Sequence, residues 1–129
     1  MAGGMELEAL IRGMRPRLQP EVHVFATVPE LPRGLFPRMA FREAEGVTLV
    51  LTREEAAAHG IAATFPCRMI TLEVHSALEA VGFIARIATA LAEAGMGVNP
   101  VAGFYHDHLF VPEDRAEEAM AVLERLSSG

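Results

Sequence analysis

Three consecutive side chains, His106, Asp107 and His108, place two imidazoles and a carboxylate between two apolar runs. In a β-strand, residues two apart lie on the same face, so His106 and His108 could bind one metal ion while Asp107 points away. Two ligands do not complete a site, and His75 and His23 would have to converge on it from other strands. At a hairpin, Asp107 would instead hydrogen-bond the amides of the turn. The hairpin interpretation is favoured, and no metal is predicted.

His75 and Ser76 place a base beside a hydroxyl nucleophile. Adjacent residues leaving a strand seldom point at each other, and no oxyanion-hole motif accompanies this pair. Ser76 and Glu79 have the S-x-x-E spacing of a capping box, which explains both residues as the start of a helix. The sequence therefore predicts no catalytic residue and no cofactor.

Composition limits the classes of partner. With 51% hydrophobic residues among 129, the chain can bury the core of one compact domain or of two very small lobes. The net charge of −6 argues against a general nucleic-acid partner, which requires a basic surface. The single Cys67 cannot form an internal disulfide, and no signal peptide or run of membrane-spanning length is visible. We expect a soluble cytoplasmic protein with no membrane partner.

Alternating apolar and polar residues, prolines and helix-capping motifs divide the first half of the chain into predicted elements. In chain order they predict a short helix over 5–13, a strand over 21–28, a proline-rich loop over 29–37, a hairpin turning near Glu45 and Gly46, and a helix that opens with a Thr52–Glu55 capping box and stops at Gly60.

The second half is predicted as β-α-β-β-α, the ferredoxin-like pattern without its last strand. The elements are a strand over 68–74, a helix from Ser76 to about Ala94, strands over 97–105 and 108–112 that meet at the histidine triplet, and a helix after Glu113 and Asp114. The apolar stripe of the first of these helices is expected to comprise Leu78, Val81, Ala85, Ala88 and Ala92, widened by Ile84, Ile87 and Leu91. Strands of the first half are able to complete the sheet.

Pro100 lies within a predicted strand but has no N–H to donate. Proline fits only an edge strand or a bulge, so residues 98–105 are predicted to lie at a sheet edge. An exposed edge carrying Val98, Val101 and Phe104 is a pairing hazard unless something covers it. We therefore expect a homodimer.

The run from Ile70 to Leu126, "ITLEVHSALEAVGFIARIATALAEAGMGVNPVAGFYHDHLFVPEDRAEEAMAVLERL", resembles the ACT domain, a small regulatory fold. More narrowly, "VHSALEAVG" and "AGFYHDHLFVP" are similar to a bacterial family of short stand-alone proteins built from two ACT-like units, and "FREAEGVTLVL" matches the first of those units. The resemblance implies an α+β fold of tandem ferredoxin-like units, with antiparallel sheets and helices on one face. Residues 1–66 would be a degenerate ACT-like unit and residues 67–129 an ACT domain.

The resemblance also implies a ligand site. ACT domains carry an acidic residue three positions before a glycine in the loop that leads to the first helix, and here these are Glu79 and Gly82. That glycine lets the carboxylate or amine of an effector approach the backbone at the helix start. In ACT domains the second strand, here around Asn99 to Phe104, forms the other wall of the ligand site, and Asp107 would lie in the hairpin that follows. The implied ligand-binding residues are His75, Ser76, Glu79, Val81, Gly82, Asn99, Val101, Phe104, His106, Asp107 and His108.

The function implied by the resemblance is that of a non-catalytic regulatory or sensor protein that binds a small molecule, expected to be an amino acid. Two alternatives stay open. One is a metal-binding protein or metalloenzyme that uses His75, His106 and His108. The other is a structural interaction module whose edge strand pairs with another protein.

Overall fold

The computed structural model describes residues 2–74 and 81–129 as an α+β arrangement. Its elements are α1 (Ala2–Gly13), β1 (Arg15–Val28), β2 (Met39–Arg42), β3 (Val47–Thr52), α2 (Arg53–Ala58), β4 (Thr64–Glu73), α3 (Phe83–Glu93), β5 (Asn99–Ala102), β6 (Asp107–Pro112), a 3-10 turn (Glu113–Arg115) and α4 (Ala116–Ser128). They form two compact units. The central unit is Glu21–Cys67, and the terminal unit joins the residues up to Pro20 to those described from Arg68 onwards. β1 and β4 each contribute residues to both units.

The terminal unit has the ferredoxin-like strand order β1-β4-β6-β5. β5 and β6 are antiparallel, with Val101 opposite His108. Side-chain contacts show that β1 and β4 are also antiparallel, because Arg17 contacts Glu73 and Gln19 contacts Thr71. The motif β4-α3-β5-β6-α4 lacks a last strand of its own, and the first residues of β1 occupy that place. A strand from the first half thus completes this set, as predicted.

Helices α1, α3 and α4 cover one face of the terminal unit. Side chains alternate between faces along a strand, so every second residue of β4 and of β6 points to these helices. The buried core includes Ile70 and Leu72 of β4, Leu109 and Val111 of β6, Ile87 and Leu91 of α3, and Ala119 and Leu123 of α4. Each fully buried Leu or Ile contributes about 1.5–3 kcal/mol, so this cluster supplies much of the unit's stability.

The central unit is smaller and has the strand order β2-β3-β1. Both pairs are antiparallel, and α2 packs on the face formed by Val24, Leu49 and Leu51. The predicted capping box of α2 is confirmed, because Thr52 and Glu55 exchange both of its hydrogen bonds. The connection from β1 to β2 is the predicted proline-rich loop, where a complete ferredoxin-like unit would have its first helix.

β1 begins at Arg15, so the prediction of a strand over 21–28 was too short. The added residues include Pro16 and Pro20. β3 pairs only with residues 23–28 of β1, so the earlier residues have a neighbouring strand on one side alone. A proline without an N–H is tolerated where that side of the strand has no partner.

α3 begins at Phe83, so the prediction of a helix opening at Ser76 was wrong at least for Val81 and Gly82. Gly82 is the N-cap residue of α3, and its left-handed φ of 88° places it outside the helix. The predicted Ser76–Glu79 capping box lies outside the described residues. The predicted apolar stripe was confirmed at Ile87 and Leu91, which are buried, and wrong at Val81, Ala85 and Ala92, which are exposed. Phe83, which was not predicted, is the third fully buried residue of the helix. Large side chains at i, i+4 and i+8 bury more apolar area than alanines, and they set the helix orientation.

Candidate functional site

The hairpin between β5 and β6 turns at residues 103–106. The Gly103 N–H donates to the His106 carbonyl over 2.9 Å, and a Cβ on Gly103 would lie 2.8 Å from that same oxygen. The close approach therefore requires glycine. Phe104 and Tyr105 form the tip, with 79% and 74% of their surfaces exposed.

The histidine triplet was predicted at the tip of this hairpin, but it lies after the tip, where β6 begins. Asp107 and His108 are the first residues of β6, and Asp107 lies opposite Ala102. β5 also ends at Ala102 and does not reach Tyr105. The tip is aromatic, and the triplet begins the returning strand.

His108 belongs to a short polar chain across the sheet of the terminal unit. Gln19 Nε2 donates to Thr71 Oγ1 over 3.0 Å, and the same hydroxyl lies 3.0 Å from His108 Nδ1. An amide NH₂ only donates, so the hydroxyl accepts from Gln19 and can donate its own proton to Nδ1 of a His108 ring that is protonated on Nε2. Thr71 is 5% exposed, so the chain crosses a dry part of the sheet.

His106 and Asp107 are half-buried beside this chain. His106 Nδ1 has no hydrogen-bond partner among residues 2–74 and 81–129. Burial raises the pKa of Asp107, and the neighbouring His108 and His106 oppose that rise. Across the same described ranges, no three His, Cys, Asp or Glu side chains are grouped so that they could hold a metal ion. His75, the third ligand in the metal alternative, lies outside those ranges.

The N-cap residue of α3 is a glycine, so it has no side chain that could cap the helix. Gly82 makes no side-chain hydrogen bond to the first amides of the helix, and Val81 before it is 86% exposed. The first N–H groups of a helix have no partner within it and carry a partial positive charge. Predicted site residues His75, Ser76 and Glu79 fall in 75–80, which the structure does not describe.

The remaining predicted residues lie along β5 and its hairpin. Val101 is half-buried opposite His108, and Phe104 follows at the tip. Asn99 is exposed at the other end of β5, opposite Phe110. In this antiparallel order, β4 ends where β6 begins, so the chain enters α3 from the hairpin end of the sheet. The structure thus brings Val101, Phe104 and the triplet together and leaves Asn99 further along the strand.

Sequence reasoning did not predict a cavity in the central unit. It has a volume of about 430 Å³ and is lined by His23, Phe36, Pro37, Arg38, Thr52 and Glu55. His23 is fully buried, and Arg38 Nε donates to its Nε2 over 3.4 Å. Burial, and then the Arg38 charge, lower the pKa of His23. In the sequence, His23 was interpreted only as an additional metal ligand. The cavity forms because β1 and β3 pair so that His23 lies opposite Thr52, which the sequence does not indicate.

Family models described as ACT domain match residues 2–68 and 64–125. The chain belongs to the ACT-domain family. ACT domains are typically regulatory, non-catalytic modules that bind small molecules such as amino acids. The two matches tile this ACT protein and accord with the ferredoxin-like strand order described above. No curated protein matches the chain.

Solved structures extend the comparison. A Vibrio cholerae protein described as of unknown function and a possible transport protein is 42% identical, with a TM-score of 0.86 over 97% of this chain and 98% of that one. An Agrobacterium tumefaciens protein is 16% identical, with a TM-score of 0.74 over 88% of this chain and 89% of that one. The ligand-free regulatory subunit of Thermus thermophilus aspartate kinase is 12% identical, with a TM-score of 0.64 over 86% of this chain and 95% of that one. The last two likenesses concern the fold alone.

None of the helices within residues 2–74 and 81–129 combines the length and apolar character needed to cross a bilayer.

Proposed function

We propose that this ACT protein is a non-catalytic, cytoplasmic sensor or regulatory subunit whose effector is an amino acid. The observation that carries the proposal is the start of α3, where the N-cap residue Gly82 has a left-handed backbone and makes no side-chain hydrogen bond to the helix amides. A carboxylate is the natural partner for such amides, because it accepts their hydrogen bonds and is attracted by the helix dipole.

The proposed site extends from this helix start to the β5–β6 hairpin. Val81 and Gly82 contact one side of the effector, with Val101, Phe104 and the His106–Asp107–His108 triplet on the other. His75, Ser76 and Glu79 of the preceding loop are proposed to complete it, with Glu79 facing the effector amine, and Asn99 to line its far end. His106 Nδ1, which lacks a partner in the described ranges, is a further polar contact on that side.

Regulation is proposed to act through a homodimer. β5 is the last strand of the terminal unit's order, and Asn99 and Pro100 are exposed on it. An edge of this kind can pair with its copy in a second chain. An effector held between the helix start and β5 would favour one packing of the units or subunits, and a partner protein would respond to that shift. In sequence, the tandem is proposed as an ACT-like unit over 1–66 and an ACT domain over 67–129.

The test is thermal unfolding of the full chain with each standard L-amino acid, followed by two matched variants. An effector at 100 times its Kd should stabilise the protein by about 2.7 kcal/mol. Gly82→Asn should abolish the shift, because asparagine tolerates a left-handed backbone while its side chain, with a Cβ 3.4 Å from Leu7, adds bulk at the helix start. Gly95→Asn is the control, since Gly95 has a similar φ of 75° with open space around its Cβ position. An undiminished shift in Gly82→Asn would refute this site, and no shift with any amino acid would refute the effector class.

A further inference from the structure

We propose that the cavity of the central unit is a second binding site for an amino-acid zwitterion, in which Arg38 holds the carboxylate and Glu55 the amine. The inference rests on the proposed function for its ligand class, but every residue it uses lies outside the helix-start site. The cavity is lined by residues of β1, β3, α2 and the loop before β2.

Arg38 presents a guanidinium prepared for a carboxylate. Within the described residues it makes one hydrogen bond, from Nε to His23 Nε2 over 3.4 Å. That contact orients the planar group and leaves both terminal nitrogens for a ligand. Arginine binds a carboxylate through two parallel N–H bonds, so the guanidinium of the exposed Arg38, oriented at the cavity wall, suits that group.

His23 positions Arg38 only while its imidazole is neutral. Nε2 must accept the Arg38 hydrogen bond, and a protonated ring has no acceptor. The burial of His23 and the adjacent guanidinium both disfavour protonation, whereas Glu21 and Glu55 oppose that effect by their negative charge. The neutral, fully buried His23 on β1 thus orients Arg38 from the wall of the cavity.

Glu55 distinguishes a zwitterion from a simple anion. Its Oε1 accepts from the Thr52 N–H and hydroxyl at 3.0 and 3.1 Å in the capping box, which leaves Oε2 for an ammonium group. A phosphate or dicarboxylate would be repelled by this carboxylate. Phe36 and Pro37 add apolar surface for a ligand side chain. A volume of about 430 Å³ accommodates a molecule of amino-acid size.

The experiment follows the imidazole signals of the full chain by NMR while each standard L-amino acid is added separately. Any amino acid that moves the His23 signal is then compared with its decarboxylated amine and its deaminated acid. We expect saturable movement of His23 with the amino acid, and binding at least about tenfold weaker for either analogue, which corresponds to 1.4 kcal/mol.

Variants assign the two charges. Arg38→Gln should weaken binding by about tenfold or more, and Glu55→Gln should also weaken it while keeping the capping box, which glutamine can form. Arg33→Gln is the matched control, because Arg33 is an exposed arginine of the same loop that does not line the cavity. The control should bind as the wild type does.

The outcomes separate this inference from the proposed function. An amino acid that stabilises the protein without moving His23, and with the same affinity in Arg38→Gln, would overturn the second site and leave the helix-start site standing. A deaminated acid that binds as well as its amino acid would overturn the role of Glu55 and make the cavity an anion site. If no amino acid binds anywhere, both proposals fail.

Discussion

Thr71→Val tests whether the polar chain from Gln19 to His108 stabilises the terminal unit. Valine has nearly the shape of threonine and suits a strand, so the substitution removes the hydroxyl and leaves the packing in place. The hydroxyl accepts from Gln19 and lies at hydrogen-bonding distance from His108, both at 3.0 Å. The change therefore removes two hydrogen bonds from a site that is 5% exposed.

The expected loss of unfolding free energy is about 1–3 kcal/mol. Each hydrogen bond contributes about 0.5–1.5 kcal/mol net, and a buried polar group that loses its partner costs more. Gln19 is half-buried and can turn towards water, so most of the loss should come from the His108 contact. Thr71→Ser keeps the hydroxyl and removes one methyl, which should cost about 0.8 kcal/mol.

Urea unfolding near neutral pH measures both variants, with Thr27→Val as a control at an exposed position of β1. Imidazole ¹⁵N spectra should give a proton on Nε2 of His108 in the wild type and a changed Nδ1 signal in Thr71→Val. The reasoning is refuted if Thr71→Val is as stable as the wild type, or if Thr71→Ser is the less stable of the two.

Two further predictions concern pH. The pKa of His23 lies below its usual 6.5 in the folded protein, so the unfolded chain takes up that proton first, and stability should fall as the pH drops below 6.5 towards the folded pKa. Urea midpoints across this range should fall less in His23→Gln, and an unchanged slope would contradict the assignment; the exposed His59→Gln is the control. Burial raises the pKa of Asp107 above 3.8, so its ionised form costs stability above the folded pKa. Asp107→Asn should therefore raise the urea midpoint near neutral pH, and a lowered midpoint would show that the carboxylate makes a favourable contact there.

Features set by neighbouring residues were predictable from the sequence. The Thr52–Glu55 capping box is complete within one helical turn, and it formed as predicted. The β2–β3 hairpin likewise turns at residues 43–46, where Glu43 and Gly46 exchange both backbone hydrogen bonds. Such contacts form between residues close in sequence, so type and spacing alone indicate them.

Features set by distant partners were not predictable in the same way. The start of β1 depends on which strands lie beside Pro16 and Pro20, and the start of α3 depends on the left-handed backbone of Gly82. The central cavity requires β1 and β3 to align His23 with Thr52 and the proline-rich loop to bring Arg38 to them. Neither the residue types nor their spacing in the sequence indicates that alignment.

The division of β1 and β4 between the two units limits which fragments of the chain can contain a complete unit. Residues 15–20 of β1 belong with β4 of the terminal unit, although 47 residues of the central unit, Glu21–Cys67, intervene. A fragment that starts at residue 67 would keep residues 67–73 of β4 but leave one side of them without the neighbour that Gln19 and Arg17 supply. An unpaired strand of this kind promotes aggregation. No single continuous stretch of the sequence therefore encodes the terminal unit, and a fragment meant to contain it has to include the segments on both sides of Glu21–Cys67.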